Sequence, residues 1–395
     1  MAVLSTVFLF LFAFLTSHLV VRVFPQASMV LKNDRAKRNV TIDGLRGFLA
    51  YAVFLHHGMI TASYNNSGSW TAPASNVVNQ YGQGAVSLFF MITAFLFVGQ
   101  IIDKKGDIDF LNLYIRRFFR LYPLYILVVG CVMLVALYKT GFHLDAAGMS
   151  LPRGIVHWLF FLPANLNNYK LSGQIVAGVV WTLRYEVLFY LSLPLFCIPF
   201  TRRITTEGVV SFFLLGAVFL LNLKYQLFLY TRLMLFLGGA LAAVVSRKDW
   251  LRGFLMSGYS AVFSAAALAS CLIFFHDPYS AVPAILLSLF FAVIASGNSL
   301  FGLLKLRAIR WMGEISYSTY LSHGLLLFIF MENLLIARTL RGYFVESVFL
   351  TVLLVLLNTV SYLYVELPGI ALGKKLSGMR LVTPGEPSIA ASPPL

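Results

Sequence analysis

Long apolar stretches separated by short polar connections run through most of this sequence. Eleven of them approach the roughly 20 residues needed to cross a bilayer. Their approximate bounds are 3–25, 44–63, 83–102, 118–138, 174–198, 208–223, 227–246, 253–275, 280–297, 314–336 and 343–365. Runs of this length with few charges are typical of membrane-spanning helices. The pattern predicts an all-α, polytopic integral membrane protein with about eleven transmembrane helices.

The basic residues between these stretches predict an orientation. Of the 30 Lys and Arg residues, 21 fall in alternate connections or, like Arg46 and Arg120, at the adjoining starts of spans. Six fall in the other connections, and three, Arg22, Arg184 and Arg232, lie within the spans. Cytoplasmic loops are enriched in Lys and Arg. The alternation agrees with eleven spans and predicts an outer N-terminus and a cytoplasmic C-terminus.

Composition supports the membrane assignment and excludes a soluble enzyme. The chain is 59% hydrophobic and 11% charged, against roughly 45–50% and 25% in globular proteins. The net charge of +15 raises the possibility of nucleic-acid binding, but the basic residues flank the spans and form no basic arm or repeat. We therefore expect membrane lipids, and no nucleic acid, as partners.

Three regions are predicted along the chain. Residues 1–40 form an N-terminal membrane helix and a basic linker, 41–370 the main membrane domain, and 371–395 a disordered cytoplasmic tail rich in proline and small residues. The first stretch could instead be a cleaved signal peptide. Its long apolar run, with no basic segment before it, favours an uncleaved helix.

Two connections on the predicted outer face are long. Residues 64–82 carry no charge but many hydroxyls and amides, two tyrosines and Trp70, a composition suited to a neutral hydroxylated ligand such as a sugar. A solvated connector is the alternative. The second connection, residues 139–173, contains an apolar run at 155–162. This run is too short to span a membrane, which predicts a re-entrant or interfacial segment.

The second span opens with the sequence DGLRG and carries two polar residues in register. Arg46 and His57 are eleven residues apart, about 20° from alignment on a helix and roughly 16 Å apart along its axis. His56 points to another face. Arg46 could be a positive-inside anchor and His57 a hydrogen-bonded core residue, but ionisable groups within spans are functional candidates.

Two further clusters contain charged residues within or beside spans. Arg116, Arg117 and Arg120 lie at the predicted cytoplasmic mouth of the fourth span, where Arg116 and Arg120, one turn apart, can face one anion; a purely topological role is the alternative. In the fifth span, Glu186 shares a face with Tyr190, while Arg184 lies on another face. A structural ion pair is the alternative there.

Polar residues also gather in the last two spans. Ser316 and His323 are aligned in the sequence ISYSTYLSH, and Glu366 closes the final span. No pair of histidines has metal-ligand spacing, and no nucleotide-binding or nucleophile-elbow motif is present. The sequence therefore predicts no metal, and a small molecule bound between helices must supply any cofactor chemistry.

Taken in order, these motifs resemble one family. The strings DGLRG with a histidine eleven residues after its arginine, SLFFMITAFLF, RRFFRLYPLY, WTLRYEVLFY, ISYSTYLSH and ELP are similar to those of the acyltransferase-3 family of membrane O-acyltransferases. The resemblance covers about residues 41–370 and implies a ten-helix core, to which this chain adds one N-terminal helix. It also implies transfer of a short acyl group from acyl-CoA to a glycan hydroxyl. The family commonly has glycine where this chain has Ala94.

The resemblance and the residue chemistry together give a set of assigned roles. We predict a membrane O-acyltransferase, acetyl-CoA being the expected donor and a glycan or glycolipid of the cell surface the acceptor, in a bacterial inner membrane. His57 is the expected general base, since an imidazole with an unperturbed pKa near 6.5 accepts a proton at neutral pH. Arg46 and Glu186 are expected to take part in catalysis. The residues expected to bind coenzyme A are Arg46, Arg116, Arg117 and Arg120. Those expected to bind the acceptor are Trp70, Tyr185, Tyr317 and His323.

Other functions remain open at this point. A transporter or flippase of a lipid-linked glycan would also need buried Arg, Glu and His residues. A non-catalytic membrane interaction protein is a third class, which so many ionisable groups disfavour. The arginine cluster at one membrane face favours the enzyme.

Overall fold

In the computed structural model, the described residues are 2–33, 39–72, 74–144, 150–201, 205–225, 230–331 and 340–379, and within them the chain is helical with no strand. The helices are α1 Ala2–Val23, α2 Pro25–Asn33, α3 Val40–Ser67, α4 Asn76–Asn79, α5 Ala85–Asp103, α6 Phe110–Lys139, α7 Ser150–Leu159, α8 Trp181–Thr201, α9 Thr206–Tyr225, α10 Tyr230–Leu233, α11 Leu235–Val245, α12 Asp249–Leu255, α13 Gly258–Phe274, α14 Ala281–Ala295, α15 Arg307–Glu314, α16 Ser316–Met331, α17 Leu340–Ser361 and α18 Leu367–Met379.

The all-α prediction is confirmed, and the count of spans is not. Each of the eleven predicted stretches overlaps a helix. By length and composition, six helices of the described residues can cross a membrane, or seven if the bent pair α12 and α13 is one span. The shorter apolar segments, such as Ala281–Ala295, fall below the length used for a span. Eleven spans therefore stay a prediction.

Some predicted boundaries are wrong. The fifth stretch was expected to start at residue 174, but Gln174–Val176 is a short 3₁₀ turn and α8 begins at Trp181. The predicted tail begins inside a helix, because α18 continues to Met379. Residues 380–395 lie outside the described residues, as do the basic residues Arg35, Lys37, Arg38, Arg202, Arg203 and Arg338 used in the charge count.

Helix α3 lies at the centre of the bundle and packs against α5, α15 and α16. The glycines of its DGLRG sequence allow this packing. A Cβ atom on Gly47 would lie 2.7 Å from the carbonyl oxygen of Ile309 in α15, closer than packed atoms approach. The small residues therefore bring the polar start of α3 directly against α15.

Helix α1 is joined to this bundle by hydrogen bonds. The hydroxyl of Tyr51 on α3 donates to the carbonyl oxygen of Leu9 at 3.0 Å and lies 2.6 Å from Thr351 Oγ1 on α17. Tyr51 is 2% exposed. The N-terminal helix thus packs onto the main bundle, between α3 and α17.

Two π-helical turns interrupt the long helices, at Gln80–Gly84 before α5 and Tyr362–Glu366 before α18. Such turns often mark functional sites. The first packs Gly82 against the ring of His56, and the second places Glu366 against Ser318. Both therefore adjoin residues that the sequence analysis singled out.

Candidate active site

A cavity of about 320 Å³ opens between α3, α5, α6, α8 and α16. Its lining contains five of the ten residues that were assigned roles from the sequence: Arg46, Arg117, Arg120, Glu186 and Tyr317. The polar and tyrosine side chains around it are Asn39, Asp43, Arg46, Thr93, Arg117, Arg120, Thr182, Glu186, Tyr190, Ser316, Tyr317 and Tyr320. Helices α3 and α16 contribute residues of their first turns, and α6 contributes residues of its third turn. The wide end of the cavity therefore lies where α3 and α16 begin.

The structure brings together Arg46, Arg117 and Arg120 but not Arg116. The exposed Arg116 donates from Nε to Ser377 Oγ at 2.8 Å and does not line the cavity. The interpretation that Arg116 and Arg120 face one anion is therefore replaced by the pair Arg117 and Arg120. The sequence spacing allowed either pair, and packing of α18 against α6 decides between them.

A stacked contact and a carboxylate hold Arg117. Its guanidinium carbon lies 4.5 Å from the ring centroid of Phe97 and 5.9 Å from that of Tyr190. The Tyr190 hydroxyl donates to Glu186 one turn away on α8. The predicted shared face of Glu186 and Tyr190 is confirmed, and the carboxylate offsets part of the positive charge.

A second carboxylate lies behind the cavity wall. Glu366 is fully buried, accepts a hydrogen bond from Ser318 and interacts electrostatically with Arg46 and Arg120. Arg120 makes no hydrogen bond to any residue in the described ranges. Its N–H groups therefore remain available to an anion that enters the cavity.

A wider, more open cavity of about 450 Å³ adjoins the first and shares Asn39 with it. Three basic side chains, Arg247, Arg252 and Lys305, line it. Arg247 is paired with Asp103 at 2.7 Å. The two cavities together form one cationic surface at the end of the bundle where α3 begins.

Further along α3, His57 is paired with His323 of α16. His57 Nδ1 lies 3.0 Å from His323 Nε2 and 3.1 Å from the carbonyl oxygen of Val53. His323 is fully buried, and its Nδ1 lies 3.0 Å from the carbonyl oxygen of Thr319. His57 is only partly buried.

These contacts assign the tautomers of the neutral pair. A carbonyl oxygen can only accept, so His323 Nδ1 donates to Thr319 and leaves Nε2 as an acceptor. His57 Nδ1 then carries a hydrogen that is shared between His323 Nε2 and the carbonyl oxygen of Val53, which leaves the lone pair on His57 Nε2. This nitrogen has no hydrogen-bond partner in the part of the chain described, so the arrangement presents a free base.

His56 has a different environment. It is 5% exposed, its Nδ1 lies 2.8 Å from the carbonyl oxygen of Val78, and its ring meets Gly82 of the π-helical turn. Its ring is also perpendicular to that of His57, with centroids 5.0 Å apart. His56 therefore supports the turn before α5.

Tyr320 separates the cavity from the histidine pair. It lines the cavity, its ring centroid is 6.1 Å from that of His323, and its hydroxyl lies 2.8 Å from Thr182 Oγ1. His57 and His323 themselves do not line the cavity. The inner end of the cavity is therefore separated from His323, the partner of His57, by the ring of Tyr320.

The remaining predicted acceptor residues are dispersed. Tyr317 lines the cavity and donates to the carbonyl oxygen of Leu121 at 2.8 Å. Tyr185 is 2% exposed and packs on Phe90. Trp70 packs against Tyr64 in the long connection, with ring centroids 5.7 Å apart.

Sequence reasoning missed the pairing of His57 with His323 and the position of Tyr320. The alignment of Ser316 and His323 was the available signal for the first. No group of three or more potential metal ligands lies together among the residues described.

Comparison with known proteins agrees with the resemblance. The acyltransferase domain of the acyltransferase-3 family matches residues 39–363, which is most of the chain. The chain therefore belongs to the acyltransferase-3 family and is an integral membrane protein. Helix α1 lies outside the matched range.

Two curated relatives match parts of the chain. The acyltransferase MdmB of Streptomyces mycarofaciens is 30% identical over 169 residues, 41% of this chain and 40% of the relative. The putative peptidoglycan O-acetyltransferase YrhL of Bacillus subtilis is 23% identical over 320 residues, 71% of this chain and 47% of the relative. This chain thus aligns with less than half the length of each. No solved structure matches it.

Proposed function

We propose that this protein is a membrane O-acyltransferase that moves an acyl group, acetyl in the first instance, from acyl-CoA to a hydroxyl of a cell-surface glycan or glycolipid. The observation that carries the proposal is the combination of a cationic cavity and a histidine base on one helix, α3. The printed names of the relatives, an acyltransferase and a putative O-acetyltransferase, support the reaction type.

The cationic surface suits the phosphates of coenzyme A. Arg46, Arg117 and Arg120 line the inner cavity, and the open cavity beside it adds further basic side chains. Guanidinium groups bind phosphate oxygens through paired, charge-assisted hydrogen bonds. On this proposal the phosphates stay at the wide end, and the pantetheine arm carries the thioester inward along α3.

The histidine pair suits proton transfer at the inner end. His57 Nε2 takes the proton from the acceptor hydroxyl as its oxygen attacks the thioester carbonyl carbon. The carbon–sulfur bond breaks as the ester forms, and the proton passes to the sulfur to give the free thiol of coenzyme A. His323 and the carbonyl oxygen of Val53 hold the hydrogen on His57 Nδ1, so that Nε2 keeps its lone pair. Such catalysis contributes about 10²–10⁴-fold.

The two substrates reach this centre from opposite membrane faces. Arg46 lies near the start of α3, and His57 lies roughly 16 Å further along the axis, near the middle of a hydrocarbon core about 30 Å thick. The basic residues predict that α3 starts on the cytoplasmic side of a bacterial inner membrane. Acyl-CoA then enters from the cytoplasm and the acceptor from outside.

The experiment uses purified protein, radiolabelled acetyl-CoA and a peptidoglycan or lipopolysaccharide acceptor. We expect label to move to the glycan as an alkali-labile ester, in step with the release of coenzyme A. The His57→Ala variant is the control for contaminating activity. No transfer to any acceptor, combined with acceptor movement across vesicles, would instead favour the flippase alternative.

Sealed vesicles then test the route. With acetyl-CoA on the face where α3 begins and acceptor on the other, we expect product without any added acyl carrier. Product formed only when both substrates share one face contradicts the route through the membrane and leaves the transferase proposal intact.

A further inference from the structure

A second arginine cluster lies beyond the inner end of the cavity, where α8 begins. It consists of Trp181 and Arg184 in the first turn of α8, Arg232 in α10, and Tyr279 just before α14. Trp181 adjoins the cavity wall through Phe90, with ring centroids 6.2 Å apart. The cluster therefore lies on the far side of the cavity from the first turn of α3.

The loop that carries Tyr279 is held in place by amide side chains. Asn79 Nδ2 donates to the carbonyl oxygen of His276 at 2.5 Å, and Gln80 Nε2 donates to that of Phe275 at 2.9 Å. Both donors lie at the π-helical turn before α5. The turn that supports His56 thus also positions the loop leading to Tyr279.

Aromatic rings fix the position of Arg232. Its guanidinium carbon lies 4.3 Å from the ring centroid of Trp181 and 4.9 Å from that of Tyr279. Cation–π contact uses the positive charge of the guanidinium and none of its N–H hydrogens. The Arg232 guanidinium is therefore held in place by the two rings, and its N–H groups remain available to another partner.

Three donors of this cluster are buried and lack hydrogen-bond partners within the described ranges. They are Arg184 Nε, Arg232 Nε and the Tyr279 hydroxyl. Buried donors are nearly always satisfied in folded proteins. Arg232 contacts Tyr279 and interacts electrostatically with Arg184, so the three donors lie in one cluster, which suits a ligand rich in acceptor atoms.

The charges of the two arginines also favour an anionic ligand. Arg184 and Arg232 are close enough to interact as like charges, and no carboxylate of the described chain lies within salt-bridge distance of either. Two acids lie near the cluster in sequence. Glu186 lines the cavity on another face of α8 and accepts from Tyr190, and the exposed Asp277 accepts from the backbone N–H of Tyr279 at 2.9 Å. A neutral ligand would leave both positive charges without a partner.

We propose that Arg184, Arg232 and Tyr279 bind an oxyanion, a phosphate or a carboxylate, carried by the acyl acceptor. Identification of the ligand as the acceptor rests on the proposed function. The inference narrows the substrate class to anionic glycans or glycolipids and replaces the expectation of a neutral ligand at residues 64–82. The oxyanion anchors the acceptor on the membrane face opposite to coenzyme A, with a hydroxyl directed towards the histidine pair.

Direct binding tests the site without requiring turnover. Protein in lipid nanodiscs, saturated with coenzyme A to fill the cationic cavity, is titrated with glucose 1-phosphate, glucuronate and glucose. We expect one or both anionic sugars to bind at least tenfold more tightly than glucose. Their ranking distinguishes phosphate from carboxylate.

Substitutions locate the binding. Arg232→Gln and Arg184→Gln should each weaken binding of the anionic sugar roughly tenfold, as expected for one lost hydrogen bond to a charged group. The matched control is Arg153→Gln, an exposed arginine of α7, which should bind as the unaltered protein does. Equal binding of glucose, no effect of Arg232→Gln, or competition by coenzyme A would overturn the proposal.

A measurement on the unaltered protein covers the case in which a variant fails to fold. Phenylglyoxal modifies accessible arginines, and mass spectrometry maps the modified sites. Glucose 1-phosphate or glucuronate should protect Arg184 and Arg232, whereas glucose should not. Unprotected arginines at saturating anion would contradict the site. Absence of acyl transfer with this protection intact would contradict the proposed function alone.

Discussion

The cationic cavity and the histidine pair lie along the same helix, yet their surroundings differ. Around Arg46 and Arg120 the helices splay and leave about 320 Å³ of open space. Around His57 they close, and the partner His323 is fully buried. The cationic cavity can therefore receive a charged group, whereas the polar atoms of the histidine pair bond to each other.

This difference separates binding from chemistry. A phosphate group needs several charged hydrogen-bond donors and access from water, which the cavity provides. A general base needs a fixed tautomer and a dry setting, which the hydrogen bonds from His57 to His323 and from His323 to Thr319 provide. Tyr320 lies between the two regions.

The largest expected effect comes from removing the base. We expect His57→Ala to lower turnover by about 10²–10⁴-fold, with the protein still inserted and folded and the Michaelis constant for acyl-CoA nearly unchanged. Steady-state kinetics per folded molecule measure this.

The matched control is His56→Ala. His56 bonds the carbonyl oxygen of Val78 and supports the π-helical turn, so its loss should reduce the amount of folded protein more than the turnover of each molecule. Equal losses of turnover in the two variants would contradict the assignment of His57.

A smaller effect is expected from the partner of the base. His323→Leu removes the ring nitrogen that accepts from His57 Nδ1–H and leaves the carbonyl oxygen of Val53 as the remaining acceptor. We expect turnover to fall about 10–100-fold with an unchanged Michaelis constant for acyl-CoA, the size of loss found when a group that orients a metal ligand is removed. His323→Gln offers a carbonyl oxygen in place of the ring nitrogen and should restore part of the activity.

The pH profile separates orientation from packing. If His323 orients the base, the acidic limb of the profile should shift in His323→Leu and return towards the original position in His323→Gln. Identical profiles for both variants and the unaltered protein would mean that His323 serves packing alone.

Arginine substitutions test whether the cationic cavity binds acyl-CoA. Arg120→Gln should raise the Michaelis constant for acyl-CoA roughly tenfold, the effect of about 1.4 kcal/mol, and leave that for the acceptor nearly constant. Arg116→Gln is the matched control, because Arg116 bonds Ser377 outside the cavity. An equal rise of the Michaelis constant for acyl-CoA in both variants would mean that these arginines set the membrane topology and do not bind coenzyme A.

Much of the fold and part of the site could be predicted from the sequence. Apolar stretches of about 20 residues located the helices, and the 3.6-residue period placed Arg46 with His57 and Glu186 with Tyr190 on shared faces. These relations lie within one helix, so local geometry determines them.

Relations between helices could not be predicted in this way. The contact of His57 with His323 joins residues 266 positions apart, and the choice between Arg116 and Arg117 depends on how α18 packs against α6. The cluster of Arg184, Arg232 and Tyr279 also needs three separate elements. Its available signal was that two of its arginines lay within predicted spans without an assigned role.

The smallest expected effect concerns Tyr320, the residue between the two regions. Tyr320→Phe keeps the ring and removes the hydroxyl that bonds Thr182 Oγ1 at 2.8 Å. Hydrogen bonds between helices in membranes contribute about 0.6 kcal/mol on average, so we expect a small loss of thermal stability and a change in turnover of less than about tenfold. Thr182→Val removes the same bond from the other side. Each hydroxyl also lies within hydrogen-bond distance of the carbonyl oxygen of Val179, at 3.3 Å for Tyr320 and 3.0 Å for Thr182. The double variant should therefore be less destabilised than the sum of the two single variants, because both single variants lack the bond that the two side chains share. Thermal unfolding in detergent and steady-state kinetics of the three proteins measure this. A loss of turnover in Tyr320→Phe as large as that in His57→Ala would assign the phenol to the chemistry and remove the division between a binding cavity and a separate histidine centre.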